Sequence, residues 1–187
     1  MVTGISIADL AVLGIASGGP VGANRIAAVA KALVPEHWQP TASVIAAVIE
    51  RNLAAGLLRR AENYPMDQHL LVTAEGSEKI RALLLCPPEE LAPSALPAAE
   101  AIQFCFLDTT DSETAKTVLF RFQRKLEKRL SSYEQRSAKG PDSGRYKNFW
   151  LDMEQRRLES MVRFLTVVSN ETAIACGDSQ NAAEPLQ

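Results

Sequence analysis

The side chains that usually carry chemistry are sparse in this sequence. Histidine occurs twice, as His37 and His69, and cysteine three times, as Cys86, Cys105 and Cys176. The cysteines are odd in number and far apart, with no C-x-x-C pair, so they specify neither a disulfide framework nor a zinc site. Such usage fits a reducing compartment, and a cytoplasmic location is expected. Two histidines are too few for a histidine metal cluster and leave little room for a Ser-His-Asp arrangement. No phosphate-binding G-x-x-x-x-G-K, no G-x-G-x-x-G, no G-x-S-x-G and no H-E-x-x-H occurs. Cys105 lies in the apolar run 104–107 and reads as a buried, inert thiol. We therefore expect no enzyme, no metal and no cofactor.

What remains is binding chemistry. Thr41, Ser43, Ala47 and Arg51 fall within one short amphipathic stretch, and Arg59, Arg60 and His69 lie just beyond it. Ala and Thr can touch a thymine methyl, Ser and Asn can bond a base edge, and Arg can bond phosphate. Each has a plainer reading as well. Thr41 and Ser43 suit a helix cap equally, the arginines suit solvated surface, and His69 suits a strand surface. The whole chain of 187 residues carries a net charge of −2. Up to residue 90 there are seven basic and nine acidic residues, and beyond it 13 of each. A nucleic-acid-binding domain is usually strongly basic. Any DNA contact here must come from a local cluster, and non-specific binding is expected to be weak and salt-sensitive.

The elements that must position these residues follow from periodicity. Residues 5–16 read as a buried helix ended by Gly18-Gly19-Pro20, and 23–33 as a second helix with Ile26, Val29, Ala30 and Leu33 at helical spacing. After the turn 35–40, a third helix starts at Thr41, a good N-cap, with Val44, Ile45, Val48, Ile49 and Leu53 as its apolar positions and Gly56 as its stop. Short apolar runs at 57–60 and 69–72 flank the turn signal 62–65 and read as a hairpin. Thr73 can cap a helix over 74–85. The order of three helices, two strands and a helix is that of a winged helix-turn-helix, with 41–55 as recognition helix and 57–72 as wing. The apolar stretch near the start is interrupted by glycine and proline, has no Lys or Arg before it, and is too short to span a bilayer, so no membrane partner is expected.

The second half reads differently. Pro87, Pro88, Pro93 and Pro97 make 87–110 a linker and connecting segment after a reading domain over 1–86. A helix from Asp111 or Ser112 to about Ala138 carries the stripe Ala115, Val118, Leu119, Phe122, Leu126, Leu130 and Tyr133. A second, over 145–168, carries Phe149, Trp150, Met153, Leu158, Met161, Leu165 and Val168. The fold class is thus mainly α, with a long antiparallel two-helix region over 111–169 and a flexible tail over 170–187. Such a pair cannot bury both stripes alone. It packs on the first domain or on a second copy, and the second is favoured. Leu119, Phe122, Leu126, Trp150, Met153, Met161 and Leu165 are the expected homodimer interface. Phe122, Tyr133, Phe149 and Trp150 read as that core, or as the wall of a ligand cavity.

Several of these residues carry a family resemblance. Leu13-Gly14-Ile15, then Gly19-Pro20-Val21-Gly22, the turn Trp38-Gln39-Pro40, Asn52 to Leu58, and Leu71-Val72-Thr73-Ala74-Glu75-Gly76 resemble the PadR family of transcriptional regulators. Phe106-Leu107-Asp108 and the two long helices are similar to the longer PadR-like proteins related to the virulence activator AphA. The resemblance spans residues 5–169. It implies a homodimer that binds double-stranded operator DNA, one recognition helix per half-site, and in some members a small aromatic or amphipathic effector. Gly22-Ala23-Asn24 stands where relatives carry His-Gly-Tyr, and 43–47 lacks their tyrosine, so two backbone contacts are missing. The Asn24 amide could replace one. The alternative is a winged-helix protein-interaction module that has lost DNA binding.

Overall fold

The computed structural model describes residues 6–62, 69–88, 91, 94–137 and 144–181. The chain divides into two compact units, Met1–Thr114 and Ala115–Gln187. Among the described residues it is mainly helical, with one small antiparallel sheet.

The first unit is built around α1 (Ile7–Ser17). Ser6 caps it, its hydroxyl accepting from the Asp9 amide at 3.3 Å. Leu10 to Gly14 and Ala16 are all buried, so α1 is a core helix rather than a surface one. It packs against α2 (Ala23–Ala32), α3 (Ala42–Ala54), α4 (Ala74–Leu85) and one strand of the sheet. Ile26, Ile45, Ile80 and Leu84 close the core around it. Strand β1 (Val21–Gly22) was not foreseen. It pairs antiparallel with β3 (His69–Val72), which pairs on its other side with β2 (Leu58–Arg60). The sheet order is β1-β3-β2, with Gly22 opposite His69 and Arg59 opposite Leu71. Three helices, a wing and a returning helix form a winged helix-turn-helix, as the periodicity predicts.

The wing is fastened by backbone chemistry. Gly56, at φ +72°, ends α3 in the left-handed region that favours glycine. Its amide bonds Leu53 O and the Leu57 amide bonds Asn52 O, so the last carbonyls of α3 are satisfied. Thr73 then does two jobs. Its Oγ1 accepts from the Gly76 amide to cap α4, and donates to Gly56 O at 2.7 Å. A Cβ on Gly76 would overlap Leu57 O and the Val72 side chain. The Thr-x-x-Gly step is therefore a cap plus a close backbone approach.

The proline-rich stretch does not end this unit. Residues 87–110, expected as a linker, contain α5 (Leu96–Cys105), with Pro97 in its first turn where a missing N–H costs nothing. This helix also packs on α1, and Ile102 and Gln103 are fully buried. The Gln103 amide donates to Leu83 O, Leu84 O and Cys86 O at 2.9–3.2 Å, capping the C-terminus of α4. The Phe106 ring lies against Gly14, where a Cβ would meet it at 2.5 Å. Asp111 caps the first turn of α6 (Ser112–Ser137) through the Thr114 amide, and Arg81 on α4 holds both Asp111 and Thr114.

In the second unit, Ala115, Val118, Leu119, Phe122 and Leu126 of α6 are buried, at the spacing the sequence predicts. The last helix, α7 (Arg145–Asn181), runs past Val168 into the stretch expected to be a flexible tail. Its predicted stripe divides between two faces. Leu158 and Leu165 are buried, whereas Phe149, Trp150, Met153 and Met161 are exposed. The buried face has a seven-residue repeat, and the sequence reading merged it with its neighbour.

Replacing Gln103 with Leu removes one donor from three carbonyls while keeping the volume. We expect urea unfolding to show a loss of about 1–3 kcal/mol, the cost of stranding buried polar groups. A change within 0.5 kcal/mol would contradict the capping role.

Candidate nucleic-acid interface

Helix α3 is the element a winged helix presents to DNA. Its N-cap is Thr41, whose Oγ1 accepts from the Val44 amide and bonds Ser43 Oγ at 2.9 Å. Ile45, Val48, Ile49 and Asn52 are buried, a spacing that turns one face to α1 and α2. Ser43, Ala46, Ala47, Glu50 and Arg51 are exposed on the other. Val44, expected inside, is 46% exposed and adds an apolar contact to that face. The surface is built of small side chains and is partly apolar, suited to base edges and thymine methyls more than to phosphates.

Its one cation is already engaged. Arg51 Nη2 donates to Asp9 Oδ1 of α1 at 2.6 Å. Asn52 Nδ2 donates to the same oxygen at 2.9 Å and to Val48 O at 2.8 Å. Burial alone would raise the Asp9 pKa, but the bonds from Ser6, Arg51 and Asn52 and the guanidinium charge hold it below the usual carboxylate value. The sequence suggests Arg51 as an outward-facing contact. The structure makes Asn52 a buried link between helices and Arg51 an ion-paired one. Only a lone carboxylate in an otherwise apolar helix signalled this.

The other expected contacts fall on neighbouring elements of the same unit. Asn24 is exposed in the first turn of α2, whose cap, Gly22, supplies no side-chain acceptor. That turn has no acidic residue, and Arg25 follows, so its amides and positive end suit a phosphate. Arg59 and Arg60 are exposed on the edge strand β2, and Glu62 is exposed beyond them. His69 is half-buried in the central strand, with its carbonyl accepting from the Ala61 amide. The wing tip, 63–68, with Asp67, lies outside the described residues.

A cleft of about 560 Å³ opens beside α2, walled by Ile15, Pro20, Val21, Val29 and Phe106, with Arg25 and Asp108 at its polar margin. Cys105 borders it and is exposed, not buried as the sequence suggests. Partial burial of the thiol and the Asp108 carboxylate push its pKa up, away from a reactive thiolate. Of the expected interface residues, Leu119, Phe122, Leu126 and Leu165 are buried within the single chain. Trp150 (59% exposed), Met153 and Met161 are open on α7, beside exposed Tyr146, Phe149 and Phe164. Phe122, half-buried Tyr133, Phe149 and Trp150 thus do not share one environment. Among the described residues no three His, Cys, Asp or Glu are gathered as a metal would need, and no helix is long and apolar enough to cross a membrane.

No protein-family model and no curated protein matches the chain. Solved structures do. The chain is similar to PadR from Bacillus subtilis at 14% identity and TM-score 0.40, covering 92% of this chain and 98% of that one. It is similar to the same PadR in complex with operator DNA at 16% identity and TM-score 0.38, covering 88% and 98%. A PadR-like transcriptional regulator from Bacillus cereus gives 16% identity and TM-score 0.38, covering 90% and 99%.

The Asp9 environment has a pH signature. A carboxyl whose folded pKa is depressed adds stability that is present above its unfolded value and lost as pH falls through the folded one. We expect Asp9→Asn to be less stable than the parent at pH 7 and the two to converge below the ordinary Asp range. A gap unchanged between pH 7 and pH 3 would contradict the ionic role.

Proposed function

We propose that this chain is a sequence-specific, DNA-binding transcriptional regulator acting as a homodimer. The observation that carries this reading is the exposed face of α3: capped by Thr41, built of small side chains, and flanked in the same compact unit by the α2 N-terminus and by Arg59 and Arg60. In this reading α3 enters the major groove with Ser43 and Ala47 towards base edges. Thr41 orders its first turn. The α2 N-terminus with Asn24, and Arg59 and Arg60 of the wing, bond phosphates, and His69 supports the wing from the central strand.

The dimer rests on α7. One of its faces is buried within the chain, and a second, from Tyr146 to Val167, exposes large apolar side chains over roughly 30 Å of helix. A second copy is the occupant that a symmetric oligomer would supply, and Trp150, Met153 and Met161 are its central contacts. A small amphipathic effector is a third partner supported by the cleft, which offers apolar walls and one guanidinium. Its check is a thermal-shift screen of aromatic acids, in which Arg25→Ala abolishes any stabilisation.

A second reading has one observation in its favour. Arg51, the only cation of α3, is paired with Asp9, as a protein-interaction module without DNA binding would tolerate. Fluorescence anisotropy with duplexes from the region upstream of the chain's own gene separates the two. The regulator reading expects one duplex to bind at least about tenfold tighter than random sequence, and Arg59→Ala with Arg60→Ala to weaken it by a similar factor. It expects Trp150→Asp to give a monomer by light scattering and to weaken operator binding. No preference for any duplex, with Arg59 and Arg60 dispensable, favours the interaction module.

A further inference from the structure

We propose that Asp9 restrains sequence-independent DNA affinity: by holding the Arg51 guanidinium against α1, it keeps the exposed face of α3 free of a mobile cation. This rests on the DNA-reading function proposed above, and it concerns a residue that in that reading touches no DNA.

The geometry assigns the roles unequally. The Asp9 side chain is 14% exposed and the Arg51 side chain 58%. The carboxylate is fixed from several sides. Asn52, itself buried and tied to Val48 O, donates to Oδ1, and the Asp9 amide donates to Ser6 Oγ. Arg51 is the partner with room to leave. It sits one turn beyond Ala47 on the same helix, and a released guanidinium there could swing towards a phosphate flanking the groove.

Held at 2.6 Å, Arg51 and Asp9 cancel, and neighbouring Glu50 leaves the α3 face with net negative charge. Cations on a DNA-facing surface raise affinity for every sequence alike, whereas base-edge contacts discriminate between sequences. Pairing Arg51 with a partly buried carboxylate therefore lowers background binding without touching Ser43 or Ala47.

The experiment uses the full chain and a random-sequence duplex, by anisotropy over a series of salt concentrations, beside the preferred duplex. Asp9→Asn keeps the side-chain shape and removes the charge. It should bind random DNA about 3- to 10-fold tighter at low salt, with the log–log salt slope steeper by about one phosphate per chain. The preferred duplex should gain by a similar factor, as a sequence-independent contact requires. Adding Arg51→Gln should return random binding to the parent level. Arg51→Gln alone, which does not depend on the stability of the Asp9 variant, should change random binding less than about twofold and leave the slope unaltered.

A folded Asp9→Asn protein with no gain would overturn the proposal, as would a gain that survives Arg51→Gln. So would a several-fold loss on Arg51→Gln alone, because Arg51 would then already be a phosphate contact. If neither the parent nor the variants bind any duplex, the DNA-reading function fails and this inference falls with it. If the parent discriminates between duplexes and Asp9→Asn does not gain, only this inference fails.

Discussion

The burial of α1 is the constraint on which the first unit depends. Leu10, Val12 and Leu13 are inaccessible to solvent, and α2, α3, α4, α5 and β3 all lie against this one helix. Burying each such side chain is worth about 1.5–3 kcal/mol, so α3 is held in place by hydrophobic contact with α1 more than by its own bonds. The same burial forces a choice on Asp9, the only charged residue in α1. A carboxylate at the margin of a core must be neutralised or partnered. Here Arg51 and Asn52 of α3 partner it, and the packing of two helices thereby fixes the charge of the surface that one of them presents.

Much of the fold was legible because it depends on local chemistry. Thr41 and Thr73 announce helix starts with a hydroxyl three residues before an amide that needs it, and Gly56 announces a stop that requires positive φ. The buried positions of α6 follow from spacing alone. What was missed lacked a local signal. Strand β1 is two residues long, too short to show a period, and exists only because β3 offers it an edge. Helix α5 was hidden by prolines. Pro97 is compatible with a first turn, and the helix owes its stability to α1 and to the Gln103 bonds rather than to its own propensity.

The candidate site was legible as a list of residues but not as a network. Asp9 and Arg51 are 42 residues apart, so no spacing rule links them. The same limit explains α7. A window that counts apolar residues cannot tell one wide stripe from two adjacent faces, and Leu158 and Met161 differ by burial, not by pattern. The net charge, which first reads as an objection to DNA, takes a different meaning once placed. Arg59 and Arg60 stand exposed on the wing, while Arg51 is offset by Asp9 within the same unit. The ion-paired arginine lies on α3 and the two exposed arginines on β2.

The central claim is that α3, the α2 N-terminus and β2 form one DNA-reading surface. The most direct measurement is an amide-resolved NMR titration of the full chain with its preferred upstream duplex. The account predicts shifts concentrated in residues 23–25, 41–47 and 59–60, with the exposed α7 face around Trp150 unaffected. Shifts confined to α7, or none in α3 at saturating duplex, would contradict it.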